Sequence, residues 1–262
     1  LLEKKATSLI GVVHVPALPG AADYGSMQDI IKRSLKDAES YLKGGADALL
    51  LENMHDVPYL RGYVESETVA AMSAVAYAVR QKFRVETGVQ LLAGANLEAL
   101  AVAVAADLDF IRVEGFVFAH VGDEGLHQAS APSLIRKRAA LAAKKIKIYA
   151  DIKKKHSSHA ITSDLSLTET AHAAEFFQAD GIIVTGLRTG AAPPAEAVQE
   201  AVAAVNIPVL IGSGVTPQNM ALYSNADAVI VGSYAKYNGN WREAVDPERV
   251  KELSAAIRAA LK

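Results

Sequence analysis

The sequence contains no cysteine among its 262 residues, which excludes disulfides, thiolate nucleophiles and cysteine-ligated metals. It has no large excess of either charge. Lys and Arg number 27 against 29 Asp and Glu, a net charge of -2, far from the basic excess of a nucleic-acid binder. Uninterrupted apolar runs are short, and even the alanine-rich stretch 100–106 is too short to span a bilayer. No transmembrane segment is expected, and any membrane contact would be peripheral. The opening residues LLEKK lack the basic-then-apolar layout of a signal peptide, so the cytoplasm is the default compartment. No G-x-G-x-x-G follows the first apolar run, which removes the main support for a dinucleotide-binding sheet.

What the chain does have is a high hydrophobic fraction, 51%, distributed as short β-prone runs that alternate with helical patterns. The runs fall at 8–13, 48–51, 86–92, 110–113, 146–152, 182–184, 209–211 and 229–231. Helical spacing occupies 26–43, 65–82, 97–106, 132–145, 168–178, 195–204, a short piece opened by Thr216-Pro217, and 246–261. Several strand entries repeat one rhythm: Ala46-Asp47 before LLLEN, Leu108-Asp109 before FIRVEG, Ala179-Asp180 before GIIVTG and Ala226-Asp227 before AVIVGS. Continuous apolar runs indicate strands covered on both faces, hence a parallel sheet. Eight βα units in one chain predict an α/β fold, a single-domain (β/α)8 TIM barrel over residues 1–262. Two connections exceed the usual length, 115–129 after strand four and 153–167 after strand five. Both are candidate active-site loops.

In a barrel, chemistry sits where the strands end. The polar residues at those points are His14, Glu52, Asn53, Gln90, Arg112, Glu114, Asp151, Lys153 and Thr185, with His120, Asp123, His156 and His159 in loops able to fold over them. His14 and Glu52 are expected side by side on adjacent strands, where a carboxylate can fix an imidazole tautomer for proton transfer. The working assignment is Glu52 as base and His14 as acid. The two-residue strand period places Asp151 and Lys153 on one face, so both are expected in the mouth. A lysine there can neutralise a phosphate, protonate a leaving group or form a Schiff base, although the run of three lysines looks solvated. His156 and His159, three apart, are candidate metal ligands together with Asp151 or Glu114, which makes a divalent metal the one cofactor the residues admit. His55 and His127 read as loop residues and His172 as structural.

The strongest pattern lies at the last two strand ends. Gly212-Ser213-Gly214 and Gly232-Ser233 supply backbone amides and hydroxyls of the kind that bind phosphate. The aromatic stretch 236–241 after strand eight, with Tyr234 and Trp241, either covers a ligand, anchors the last helix or makes a subunit contact.

Taken together, these motifs resemble the BtpA/SgcQ family over essentially the whole chain. The resemblance rests on Gly11-Val-Val-His14-Val-Pro16-Ala-Leu-Pro19-Gly20, Glu52-Asn53 with Asp56-Val57-Pro58, Phe110-Ile-Arg112-Val-Glu114-Gly115 and Asp123-Glu124-Gly125. It continues through Asp151-Ile-Lys153 with Lys155-His156, Thr185-Gly186, Gly212-Ser-Gly214-Val-Thr216-Pro217 and Val231-Gly232-Ser233. It implies a TIM barrel related to phosphate-binding barrel enzymes, with no single reaction. One member is associated with photosystem I biogenesis as a peripheral membrane protein, and another sits in a sugar-related context.

Two functions follow as expectations. The first is an enzyme of isomerase, lyase or glycosyl/ribosyl-transfer type acting on a phosphorylated sugar, nucleotide or related metabolite. His14, Glu52, Asp151 and Lys153 would be its catalytic residues. Asn53, Arg112, Glu114, His156, Thr185, Gly212, Ser213, Gly214, Gly232 and Ser233 would hold the substrate and its phosphate. The second is a non-catalytic assembly or stabilising factor that keeps the barrel. The alanine-rich outer helix faces suggest a homo-oligomer in either case.

Overall fold

A computed structural model describes residues 7–186 and 190–260. Parts of the expected 186–194 loop and of the expected last helix, together with the opening LLEKK, lie outside the described residues.

Eight parallel strands close into a barrel: β1 (Ser8–His14), β2 (Ala48–Glu52), β3 (Thr87–Gln90), β4 (Phe110–Val113), β5 (Lys147–Ile152), β6 (Gly181–Val184), β7 (Val209–Ile211) and β8 (Ala228–Val231). Among the described residues seven α-helices surround it: α1 (Met27–Lys43), α2 (Ser66–Phe83), α3 (Asn96–Ala105), α4 (Ala131–Ala140), α5 (Leu167–Phe176), α6 (Ala195–Ala204) and α7 (Pro247–Ala260). The helical piece expected between β7 and β8 is a single 3₁₀ turn, Met220–Tyr223, rather than an α-helix. This is the expected TIM barrel.

The strands alternate strictly. Ile10, Val12, Ala48, Leu50, Phe110, Tyr149, Ile183, Leu210, Ala228 and Ile230 fill the barrel interior, while their neighbours Leu9, Val13, Leu49, Leu51, Ile111 and Ile182 join the larger core under the helices. Burial on both faces is why the runs are mostly apolar. Small residues leave room where bulky ones need it. A Cβ on Gly11 would sit 2.4 Å from ring carbons of Tyr41, which crosses from α1 and donates its hydroxyl to the Val231 carbonyl. Inside the barrel the Phe110 ring occupies the space beside Gly88, where a Cβ would lie 2.2 Å away.

The recurring aspartates close the barrel floor. At the entries of β2, β4, β6 and β8, the carboxylates of Asp47, Asp109, Asp180 and Asp227 accept from amides at the start of β1, β3, β5 and β7, in the first or second residue, at Leu9, Thr87, Ile148 and Val209. Each aspartate also returns its own amide to the carbonyl of the same partner residue. Arg80 and Arg138 neutralise Asp109 and Asp180 from the helices. The repeated Ala-Asp rhythm is therefore a strand-pairing clamp at the N-terminal face, which in barrels serves stability.

The long connections are not irregular loops. Ala119–Gly122 and Gly125–Gln128 form an antiparallel hairpin after β4, and Ser157–Ser158 from the connection after β5 adds a third strand through Val121 and Gly122. The two connections thus form one wall above the barrel mouth.

Candidate active site at the barrel mouth

The strand alternation that builds the core also builds the site. Above the interior residues, the next inward positions are His14 on β1, Glu52 on β2, Gln90 on β3, Arg112 on β4, Asp151 on β5 and the glycines 212 and 232 just beyond β7 and β8. A cavity of about 630 Å³ opens there, within the size range of small-molecule sites. Its floor is ionisable. One wall is the glycine loops, and the facing wall carries Met54, Val57, Pro58, Tyr59 and Leu92.

His14 and Glu52 are register partners, as expected from adjacent strands. Glu52 does not orient the imidazole, however. His14 Nδ1 lies 2.9 Å from the carbonyl oxygen of Trp241, which can only accept, so the proton is on Nδ1 and Nε2 presents a lone pair. Burial, with the nearby Lys236 ammonium, lowers the His14 pKa to about 3. The ring is neutral at physiological pH, so the expected role as an acid is corrected to that of a hydrogen-bond acceptor. Trp241 is itself held in place. Lys236, fully buried, donates to Asp37 of α1 at 3.0 Å, and the amide of Val245 donates to the same carboxylate at 3.1 Å. These two bonds tie both ends of the 236–245 segment to the barrel. Tyr234 anchors the last helix, with its ring under Arg249 and its hydroxyl on Glu252, while also bordering the cavity.

The floor contains two closed ion pairs. Arg112 makes four contacts of 3.0–3.3 Å from Nε and Nη2 to both oxygens of Asp151. Burial pushes the Asp151 carboxyl upward and the guanidinium opposes it, while the carboxylates around Arg112 hold it charged. Lys154 lies 3.4 Å from Glu114. Burial opposes ionisation of Glu114, but Lys154 and Arg112 outweigh it and hold the carboxyl below its ordinary range. Glu52 and Lys155 are different. Both border the cavity, and neither side chain has a hydrogen bond or an ion pair within 4 Å among the described residues. Burial raises the Glu52 pKa, while Arg112 and Lys155 restrain the shift.

Several expected site residues are placed elsewhere. Lys153 turns away from the mouth and donates to the carbonyls of Thr162 and Leu165. Its left-handed φ of 46° breaks the two-residue period, so it does not share a face with Asp151. Asp151 lies behind Arg112 as its counter-ion, with a side chain 1% exposed. Asn53 is fully buried and committed at both ends, accepting from the Leu92 amide and donating to Asp56, so it braces the chain rather than contacting a ligand. Thr185 accepts from the amide of Lys155 and so positions that residue. His156, beside Asp123 at 3.9 Å, borders the rim. His159 packs under the hairpin with Nε2 3.0 Å from the Lys154 carbonyl, and His120 and His127 stack at 5.0 Å. The three candidate metal ligands His156, His159 and Asp151 therefore do not converge, and no cluster of three or more such ligands occurs among the described residues. Lys154, Lys155 and Tyr59 also border the cavity; strand periodicity marks none of them, and only Lys155 stands among the residues of the family resemblance.

The glycine loops sit as expected after β7 and β8. Gly212 and Gly232 deepen the cavity, since a Cβ at either would press on Thr185 and Ile183 or on His14 Nε2 at 2.7–2.8 Å. Asn219 fastens the first loop, accepting from the Thr216 amide and donating to the Gly214 carbonyl. The Gly190 amide donates to Ser213 Oγ. Gly214 has a φ of 76°, and a Cβ there would meet the Ala192 amide nitrogen at 2.1 Å. Gly214→Ala is therefore expected to cost about 1–3 kcal/mol. A urea midpoint equal to that of the wild type would show that this close packing does not exist.

Fold and site together define a (β/α)8 barrel protein with an ionisable cavity at the C-terminal ends of its strands. The chain belongs to the BtpA family, whose sequence model matches residues 5–259. It is 42% identical over 259 residues to a mitochondrial protein of Caenorhabditis elegans named as uncharacterised, covering 97% of this chain and 94% of that one. It is 34% identical over 257 residues to the photosystem I biogenesis protein BtpA of Synechocystis, covering 97% and 89%. Among solved structures, thiamine phosphate pyrophosphorylase from Pyrococcus furiosus shares the fold with a TM-score of 0.62 at 16% identity, covering both chains fully. The geranylgeranylglyceryl phosphate synthase of Thermoplasma acidophilum, in complex with sn-glycerol-1-phosphate, has a TM-score of 0.61 at 15% identity, covering 97% and 94%. No helix among the described residues is long and apolar enough to cross a membrane.

Proposed function

We propose that the protein is an enzyme acting on a small phosphorylated metabolite by proton transfer, in a reaction of isomerase, lyase or glycosyl/ribosyl-transfer type. The observation that carries this reading is the Glu52 carboxylate. It is buried, borders the cavity and has no protein partner within 4 Å among the described residues. An unpaired buried carboxylate is costly unless a ligand completes its environment, and burial shifts its pKa upward, the direction that favours taking up a proton. The loops at 212–214 and 232–233 would hold the phosphate across the mouth, in the position barrel enzymes commonly use. The names of the phosphate-handling barrels with the same fold support this reading. His14 Nε2 would accept a hydrogen bond from a substrate hydroxyl, and Arg112 would stabilise developing negative charge.

The test is calorimetric titration with a panel of sugar phosphates and nucleotides, followed by turnover assays. Wild type and Glu52→Gln should bind the same ligand with affinities within about threefold, while turnover falls about 10²–10⁴-fold in the variant. Failure of every phosphorylated compound, and of inorganic phosphate, to bind would overturn the reading. It would favour the assembly-factor alternative, which rests on the name of the Synechocystis relative.

A further inference from the structure

The run Lys153-Lys154-Lys155 follows β5, and its three ammonium groups meet three different environments. Lys153 is capped by two carbonyls, Thr162 at 3.1 Å and Leu165 at 2.7 Å. Lys154 is paired with Glu114 at 3.4 Å. Lys155 is directed to the cavity, with its amide fixed by Thr185 Oγ1 at 3.0 Å and its side chain without a hydrogen bond or ion pair among the described residues. None of the acidic groups around it forms an ion pair with it among the described residues. Asp151 is engaged four times by Arg112, Glu114 by Lys154, and Glu52 lies beyond ion-pair distance. A lysine held in a cavity wall without a counter-ion, beside another cation, has the arrangement that favours the nucleophilic free amine.

We propose that Lys155 is an imine-forming residue whose amine condenses with the carbonyl carbon of a phosphorylated aldehyde or ketone. This rests on the reading of the glycine loops as the phosphate site. The Lys155 nitrogen adds to the carbonyl carbon, and a proton passes from nitrogen to the former carbonyl oxygen, giving a carbinolamine. Glu52 in its protonated form gives a proton to that hydroxyl, water leaves, and an iminium joins Lys155 to the substrate carbon. No electrons are gained or lost overall: amine and carbonyl become iminium and water, and the Glu52 proton appears as the iminium charge. That charge forms in the cavity that the Glu52 carboxylate, which has just become anionic, also borders. Burial and the Arg112 guanidinium push the Lys155 amine below the ordinary lysine range, in the direction this step requires. The substrate class narrows to open-chain sugar phosphates and related phosphorylated carbonyl compounds.

The test is reductive trapping with sodium borohydride after incubation with pyridoxal 5′-phosphate and, separately, with the smaller glyceraldehyde 3-phosphate. Peptide mass mapping then locates the adduct on the full chain. Calorimetry with inorganic phosphate, and trapping with unphosphorylated pyridoxal, run alongside. The expected result is an adduct on Lys155 in preference to the other lysines, formed at least tenfold faster with pyridoxal 5′-phosphate than with pyridoxal. It should be suppressed by inorganic phosphate and absent in Lys155→Met, whose circular dichroism and melting temperature report that it is folded. Equal rates with and without the phosphate would uphold the imine and overturn the phosphate site. Phosphate binding without a Lys155 adduct from either aldehyde would overturn the imine and leave the phosphate site standing.

Discussion

Replacing Arg112 with methionine is expected to destabilise the barrel by about 3–5 kcal/mol. The guanidinium and the Asp151 carboxylate have side-chain exposures of 6% and 1%, and four contacts join them. Removing the cation strips the Asp151 carboxyl of its counter-ion and hydrogen bonds in a low-dielectric floor with Glu52 and Glu114 nearby, where desolvation and like charges both oppose its charged form. At this chain length each kcal/mol shifts Tm by about 2–4 °C, so a fall of roughly 6–20 °C is expected. The double variant Arg112→Met with Asp151→Leu should recover most of the loss, because replacing both members of a buried pair removes the stranded charge. Guanidinium midpoints of the wild type, both single variants and the double variant close the cycle. Additive single effects would mean that the pair is not coupled in the folded protein.

Acidification should destabilise the protein steeply through His14. Burial and the Lys236 ammonium put its folded pKa at about 3, against an ordinary value of 6.5, so the folded state refuses a proton that the unfolded chain takes. The contribution is complete above about pH 6.5, declines as the pH falls from there towards 3, and is fully lost below the folded pKa. Within that window one such group changes stability by about 1.4 kcal/mol per pH unit, on the order of 3 kcal/mol by pH 4. Half-buried His55, lowered to about 4 by burial and Arg33, acts in the same direction. Glu52 acts oppositely. Its raised folded pKa means the protonated form is favoured in the folded state, so its contribution is present at low pH and lost as the pH rises through that raised value. The measurement is urea unfolding from pH 4.5 to 7.5 for Glu52→Gln alone and combined with His14→Gln. The combined variant should show a shallower slope by about 1 kcal/mol per pH unit. Parallel curves would mean that His14 is not buried as a neutral ring.

Much of this architecture could be read from local pattern. A strand covered on both faces must be largely apolar, and β1, β2 and β8 are so between their ends; eight such runs separated by helical spacing admit few other closures. The two-residue period also carries as far as the strands do, which is why His14 and Glu52 fall in register and why Gly212 and Gly232 border the mouth. The recurring Ala-Asp entries were visible too, although their purpose, clamping an amide at the start of a neighbouring strand, is a contact between distant segments.

Local pattern stopped at the strand ends. Lys153 and Lys155 exchange places because a left-handed residue reverses the chain one step beyond β5, and a period of two has no meaning past that point. Asn53, Thr185 and Asp151 are polar residues at the expected height, yet hydrogen bonds to segments 30–39 residues away commit them before any ligand arrives. The proton on His14 is placed by a carbonyl 227 residues along the chain, held there by the buried Lys236–Asp37 pair. Fold class, strand register and the glycine loops therefore follow from periodicity and local sterics. Which charges remain unpaired in the cavity follows from long-range partnering, which depends on the packing of the whole barrel.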